Sequence, residues 1–261
     1  EPGKQSYAWT VSAGGTITGG QGNDSIVIDW NTPGPQTVSV TYLGASPSDC
    51  PPVTPTVYNV NVAPVPVAHA GNDTTICQGQ AITVLGALVS NEASYSWQVI
   101  SGSGVLTDAG TISPTYTPTA AETGDVILSL NVTGLSTCSP VADQVTIHIL
   151  PMVTASAGPD NTVCQTGTFT VTSAVADHYS SLVWTTSGTG TLTDATTLTP
   201  TYQPGTGETG AVVFTLTAFG NSPCGSITRQ FTLTVKPPAK GNAGPSTKIC
   251  DGSTFALTGA V

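Results

Sequence analysis

Basic side chains are nearly missing from this chain. Its 261 residues hold only Lys4, Arg229, Lys236, Lys240 and Lys248, and none stands between Gln5 and Thr228. Clustered Lys and Arg are what hold a phosphate backbone, so nucleic acid is excluded as a partner. Trypsin-like proteases also find no cleavage site over that stretch. Either compositional drift or an extracellular setting accounts for such a bias. Charged residues make up 8% of the chain and the net charge is −10, so solubility rests on Thr, Ser, Asn and Gln.

Other absences narrow the function. No apolar run approaches the length needed to cross a membrane as a helix, and none is read as a span. No signal peptide is visible, which says little if the segment is internal to a longer protein. There is no Gly-x-Ser-x-Gly elbow and no triad signature among the plentiful Asp, His and Ser, so no catalytic residue is expected. His69, His148 and His178 have no Cys or carboxylate at metal-ligand spacing. Gly205-Thr-Gly-Glu-Thr-Gly210 matches the dinucleotide-binding spacing but reads as a turn before a strand, without the helix that motif needs. The chain reads as a non-enzyme without a cofactor.

What is abundant is repetition. Ala70, Ala157 and Ala243 open three similar stretches 87 and 86 residues apart. Cys77, Cys164 and Cys250 keep this phase. So do Cys50, Cys138 and Cys224, and Trp9, Trp97 and Trp184. Each Trp follows its Cys by 20 residues, and the count holds when Cys250 is continued through Val261 into Glu1. The expectation is an excerpt from a longer array, cut at an arbitrary phase. In an assembly, the end of one copy is then expected to abut the start of the next.

Gly and Pro punctuate short runs rich in Val, Ile and Thr, so the fold is expected to be all-β. Ser6–Val11, Ser25–Trp30, Thr37–Tyr42 and Val57–Val62 read as the later strands of a first domain. Asp73–Ile76, Ala81–Leu85, Tyr95–Ile100, Val126–Val132 and Gln144–Leu150 are the main strands of a second, and a third repeats them. Seven short strands with regular turns predict a two-sheet sandwich with the Trp of its third strand between the layers. The expected domains are 1–66 (partial, without its first strands), 67–152, 153–238, and the first strands of another in 239–261. Short Pro-stiffened linkers at 63–68 and 150–153 favour an extended rod.

Ala157-Gly-Pro-Asp-Asn-Thr-Val-Cys-Gln-Thr-Gly167, Trp184 with Gly188-Thr-Gly190, Leu192-Thr-Asp-Ala195, Pro200-Thr-Tyr202 and Glu208-Thr-Gly210 recur in the second domain with small changes. Together they resemble the PKD-type immunoglobulin-like domains arrayed in very large surface proteins of Bacteroidota, including gliding-motility adhesins. The best-known PKD signature, Trp-Asp-Phe-Gly-Asp-Gly, is replaced by Trp97-Gln-Val-Ile and Trp184-Thr-Thr-Ser. The resemblance implies a divergent branch, export to the cell surface, and a spacer or adhesive array without catalysis. The leading reading is therefore a structural repeat segment of an extracellular adhesin or filament, with neighbouring copies as partners. A glycan- or protein-binding array, using Tyr7, Tyr58 or Tyr179, stays open, as do accessory domains of a secreted enzyme.

Six Cys without Cys-x-x-Cys read as disulfides in an oxidising compartment, with isolated buried thiols as the alternative. In an immunoglobulin-like sandwich the first turn and the loop between the last two strands lie at opposite poles. The expected bridge therefore joins Cys77 to Cys224 between successive domains, leaving Cys50, Cys138, Cys164 and Cys250 for neighbouring copies. Bridges within domains, Cys77–Cys138 and Cys164–Cys224, are the alternative. Asp73 and Asp160 are weak calcium candidates, with turn formation as the simpler role, and no metal site is expected. Asp24-Ser-Ile26 and Asp73-Thr-Thr75 resemble a Bacteroidota O-glycosylation acceptor, which marks Ser25 and Thr74.

Overall fold

A computed structural model describes residues 4–43, 54–244 and 246–256. The chain is all-β and builds tandem immunoglobulin-like β-sandwiches, with no helix among the described residues. No helix there is long and apolar enough to cross a membrane. The chain divides into two compact units, 1–149 and 150–261.

The first unit opens with β1 (Gln5–Val11), β2 (Gly15–Gly19), β3 (Val27–Trp30), β4 (Gly34–Leu43) and β5 (Thr56–Val62). They form a sheet in the order β1-β4-β5 and a separate β2-β3 pair. There follow β6 (Val67–His69), β7 (Thr74–Cys77), β8 (Ile82–Thr83), β9 (Leu88–Ser90), β10 (Glu92–Ser101), β11 (Val105–Thr107), β12 (Thr115–Thr117), β13 (Gly124–Gly134) and β14 (Val141–Leu150). One layer of this sandwich runs β10-β13-β14-β7; the other is β11-β12-β8 with the pair β6-β9.

The second unit repeats the plan. Its strands are β15 (Thr154–Ser156), β16 (Asn161–Cys164), β17 (Phe169–Thr170), β18 (Val175–Asp177), β19 (Tyr179–Thr186), β20 (Thr191–Thr193), β21 (Thr201–Gln203), β22 (Gly210–Gly220) and β23 (Ser226–Lys236). The layers are β16-β23-β22-β19, and β17-β21-β20 with β15-β18. β16 runs parallel to β23, whereas the hairpin β22-β23 is antiparallel.

Alternation explains which faces meet. Val126, Leu128, Leu130 and Val132 of β13 are buried, as are Val145, Ile147 and Ile149 of β14. In the second unit Val212, Phe214, Leu216 and Ala218 face Phe231, Leu233 and Val235 in the same way. Burying one such side chain stabilises by about 1.5–3 kcal/mol, and a one-residue slip would turn the whole set to solvent. The Phe214 and Phe231 rings stack at 4.9 Å, with Trp184 set edge-on to Phe231 at 5.9 Å. Trp97 and Trp184 lie between the layers, as expected.

The initial strand of each complete sandwich is split between layers, a feature the sequence reading missed. Gly71 (φ +93°) and Gly158 (φ +89°) sit at the break, where a side chain on Gly71 would also stand 2.5 Å from the Leu85 carbonyl. The strand expected over 81–85 shrinks to β8, and a second piece, β9, follows Gly86 (φ +79°).

The opening sandwich is different. Val38 is its only buried apolar side chain among those described, and Trp9, Ile28 and Trp30 are half-exposed. Trp9 is thus not enclosed like its counterparts, although its indole N–H is held by the Asn23 carbonyl at 2.8 Å. Among the described residues its sheets are the three-stranded β1-β4-β5 and the pair β2-β3. Among the described residues after Lys236 there is no strand, and Ile249 and Phe255 are exposed.

Candidate functional site

The cysteines mark the ends of the sandwiches. Cys77 closes β7 and its carbonyl accepts the Gln80 N–H at 3.1 Å; Cys164 closes β16 and accepts the Gly167 N–H at 2.8 Å. Cys138 and Cys224 lie in the loops between β13 and β14 and between β22 and β23. Cys77 and Cys224 are disulfide-bonded, whereas Cys138, Cys164 and Cys250 carry free thiols. The within-domain alternatives Cys77–Cys138 and Cys164–Cys224 are therefore not formed.

Geometry gives the reason. Cys164 stands opposite Lys236 at the far end of β23, while Cys224 precedes Ser226 at its near end. That strand length corresponds to about 30 Å, against at most about 7 Å between bridged Cα atoms. In the first unit β7 lies beside β14, and Asp73 already meets Thr146, beyond Cys138. Cys50 lies outside the described residues. The Cys138 thiol points to the linker before its own sandwich, 3.8 Å from the Ala63 carbonyl oxygen and 3.6 Å from that of Pro64.

A second repeated constellation was not recognised in the sequence. Tyr116 is fully buried; its hydroxyl accepts the Gly104 N–H at 2.8 Å and donates to Glu122 at 2.9 Å. Glu122 also accepts the N–H groups of Ser103 at 2.6 Å and Thr119 at 3.0 Å. In the second unit Tyr202 accepts from Gly190 at 2.9 Å and donates to Glu208 at 2.7 Å. Glu208 in turn accepts from Thr189 at 2.7 Å and Gly205 at 2.8 Å. Burial, followed by the Glu208 carboxylate, pushes the Tyr202 hydroxyl up to about 12. Tyr116 is raised for the same reasons.

Burial opposes ionisation of both glutamates, but the backbone donors and the Tyr hydroxyl outweigh it and hold each carboxyl below its ordinary value. A carboxylate already committed to three donors and a tyrosine that stays protonated form a structural clamp. They tie the hairpin after β10 or β19 to the loop before β13 or β22. Glu122 and Glu208 are thus accounted for without a cation.

The calcium candidates also have local roles. Asp73 accepts the Thr146 N–H and Asp160 the Thr232 N–H, each at 2.7 Å, so each carboxylate caps the start of its edge strand. Asp108 and Asp194 adopt φ of 56° and 55° in turns whose carbonyls accept Thr111 and Thr197. Among the described residues no three His, Cys, Asp or Glu converge as metal ligands. His148 and Asp125 face each other across β13 and β14, with 2.6 Å between Nδ1 and the carboxylate. His69 lies 3.5 Å from Asp143, whose carboxyl is held low chiefly by the Ala70 N–H.

The glycosylation candidates differ in access. Ser25 is exposed between β2 and β3, whereas Thr74 is half-buried in β7. Thr74 lines a 200 Å³ groove with Ile82, Val84 and Ile147. Of the three tyrosines considered for contacts, Tyr58 is 71% exposed and Tyr179 is 38% exposed. The Tyr7 ring rests 5.8 Å from that of Tyr42.

Residues 1–61 match the PKD-like domain family, the segment set apart above as partial. Comparison with curated proteins returns no match. Among solved structures, Drosophila N-cadherin EC1-4 is similar at 10% identity and TM-score 0.43, covering 89% of this chain and 66% of that one. Sidekick-1 immunoglobulin domains 1-5 are similar at 16% identity and TM-score 0.44, covering 90% and 54%. Titin domains I67-I69 are similar at 8% identity and TM-score 0.47, covering 88% and 87%. The chain spans less than two thirds of the N-cadherin and Sidekick-1 chains.

Proposed function

We propose that this chain is a structural segment of an extracellular adhesin or filament. It acts as a stalk of PKD-like sandwiches in series, divided at 1–66, 67–152, 153–238 and 239–261. Successive sandwiches are clamped by a disulfide between Cys77 and Cys224, which limits bending and carries tension through covalent bonds. Short linkers containing Pro64, Pro66 and Pro151 favour a rod over loosely jointed beads. Its partners are neighbouring copies of the same array, and its work is mechanical and needs no cofactor.

The observation that carries this reading is the thiol inventory. Cys77 and Cys224 are half-cystines, while the partners each would need within its own sandwich, Cys138 and Cys164, are free. A bridge that skips the sandwich it starts from serves the joint rather than the core. Non-reducing peptide mapping after pepsin digestion tests it. The expected product is one disulfide-linked pair of peptides containing Cys77 and Cys224. A pair linking Cys77 to Cys138 would overturn the proposal.

A further inference from the structure

The sandwich of residues 67–149 has a groove at a place that aromatic rings occupy in the second unit. Thr74, Ile82, Val84, Leu85, Val145 and Ile147 line this space of 200 Å³. It opens between β7 and β8, the outer strands of the two layers. The registers show which residues correspond. Ile82 pairs with Tyr116 as Phe169 pairs with Tyr202. Val145 pairs with Leu128 as Phe231 pairs with Phe214. The second unit thus sets two rings 5.9 Å apart where the earlier sandwich has Ile and Val. Exchanging two benzene rings for short aliphatic branches takes apolar volume out from between the layers, and the groove is what remains.

Size and charge together specify the occupant. An apolar cavity of about 150 Å³ accepts one benzene molecule, so a groove of 200 Å³ accommodates the ring of one aromatic side chain. Leu85 is 74% exposed and stands where the second unit has Thr172, so the apolar surface continues outward from the groove. Residues 67–149 contain six carboxylates and no Lys or Arg. One of these, Asp73, is exposed beside the groove and is fixed by the Thr146 N–H at 2.7 Å. A ring that carries positive charge next to it meets both features.

We propose that this groove binds the phenyl ring of a partner polypeptide, in an extended segment with a basic residue beside the ring. A free ring is not held well enough. Burying one contributes a factor of about 10 to 100 in affinity, which alone is weaker than millimolar binding. The rest comes from the backbone. Among the described residues β7 pairs with β14 alone, so its other edge is open to an added strand. Side chains of an extended segment alternate in direction. A ring directed into the groove therefore leaves the residues on either side of it toward solvent, where Lys or Arg approaches Asp73. This recognition site is additional to the stalk and does not depend on the Cys77–Cys224 clamp.

The test uses the full 261-residue chain with isotope-labelled Ile, Leu and Val methyl groups, and the peptide acetyl-Lys-Thr-Phe-Thr-Lys-amide. Titration is expected to shift the methyl resonances of Ile82, Val84 and Val145 through the ring current of the incoming Phe. Ala in place of that Phe is expected to weaken binding about 30-fold. Glu in place of both Lys is expected to weaken it about tenfold at low ionic strength and less in high salt. Ile82→Phe with Val145→Phe copies the second unit, and is expected to abolish binding while the sandwich stays folded. Leu85→Thr, at an exposed position, is expected to weaken binding about fivefold. It decides the matter together with the Ala peptide if the double variant does not fold. No methyl shift at millimolar peptide, equal affinity for the Phe and Ala peptides, or undiminished binding by the folded double variant would overturn the proposal. Benzylamine binding as tightly as the peptide would also overturn it, by making the groove a small-molecule site. The Cys77–Cys224 peptide map is unaffected by any of these outcomes.

Discussion

Removing one oxygen atom from Tyr202 should test the clamp in the second unit. Phe at this position keeps the ring, which is fully buried, and its edge contact with Phe214 at 5.1 Å. It deletes the acceptor for the Gly190 N–H and the donor to Glu208. The Gly190 N–H is only part-buried, so solvent recovers some of what it loses. An orphaned buried N–H costs about 1–3 kcal/mol, and a hydrogen bond to a charged group contributes about 1.5–3 kcal/mol. Glu208 recovers part of the second loss because it is half-exposed and keeps the Thr189 and Gly205 donors. The net expectation for Tyr202→Phe is about 2 kcal/mol, or a roughly 30-fold rise in the unfolded fraction. Hydrogen exchange in graded urea, read on peptides within 182–218, isolates this unit from the other. A loss under about 0.5 kcal/mol would refute the assignment of the clamp as a stabilising element. Tyr116→Phe is expected to act alike in the first unit.

Three further outcomes follow from the same geometry. The folded Glu208 carboxyl lies below its ordinary 4.5, so its contribution is complete above pH 4.5 and lost as pH falls through the lower folded value. Glu208→Gln should flatten acid unfolding in that window, as followed by Trp fluorescence. Asp160→Ala should cost about 0.5–1.5 kcal/mol by uncapping Thr232, and calcium chelation should leave the melting temperature of the unmodified chain unchanged. Iodoacetamide should modify Cys164 and Cys250 quickly and half-buried Cys138 slowly. Cys77 and Cys224 should react only after reduction, as read by intact mass and peptide mapping.

The sheet strands were legible because each buries one face over many residues. Alternation in Val126–Val132 and Val212–Ala218 shows where two layers meet, and the shared phase of Trp and Cys aligns the copies. Short strands were not legible. β6 and β9 are three residues long, and too few side chains alternate to give a period. The clamp had a signal that was read in two parts. Tyr116 and Glu122 are six residues apart, as are Tyr202 and Glu208, but the hydroxyl partners of a fold appear only when its loops close. The His148–Asp125 pair depends on hairpin register, which sequence spacing alone leaves open.

The parallel run of β16 beside β23 fixes how the second unit meets a load along its length. Asn161 to Cys164 lie against Leu233 to Lys236, so pulling back on the former segment and forward on the latter slides them past each other. All the rungs of that ladder are then strained together in shear, joined by the Asp160–Thr232 bond. A hairpin peeled from its open end would give way one rung at a time. The same few hydrogen bonds thus yield at a higher force when stretched end to end than when unzipped from the side.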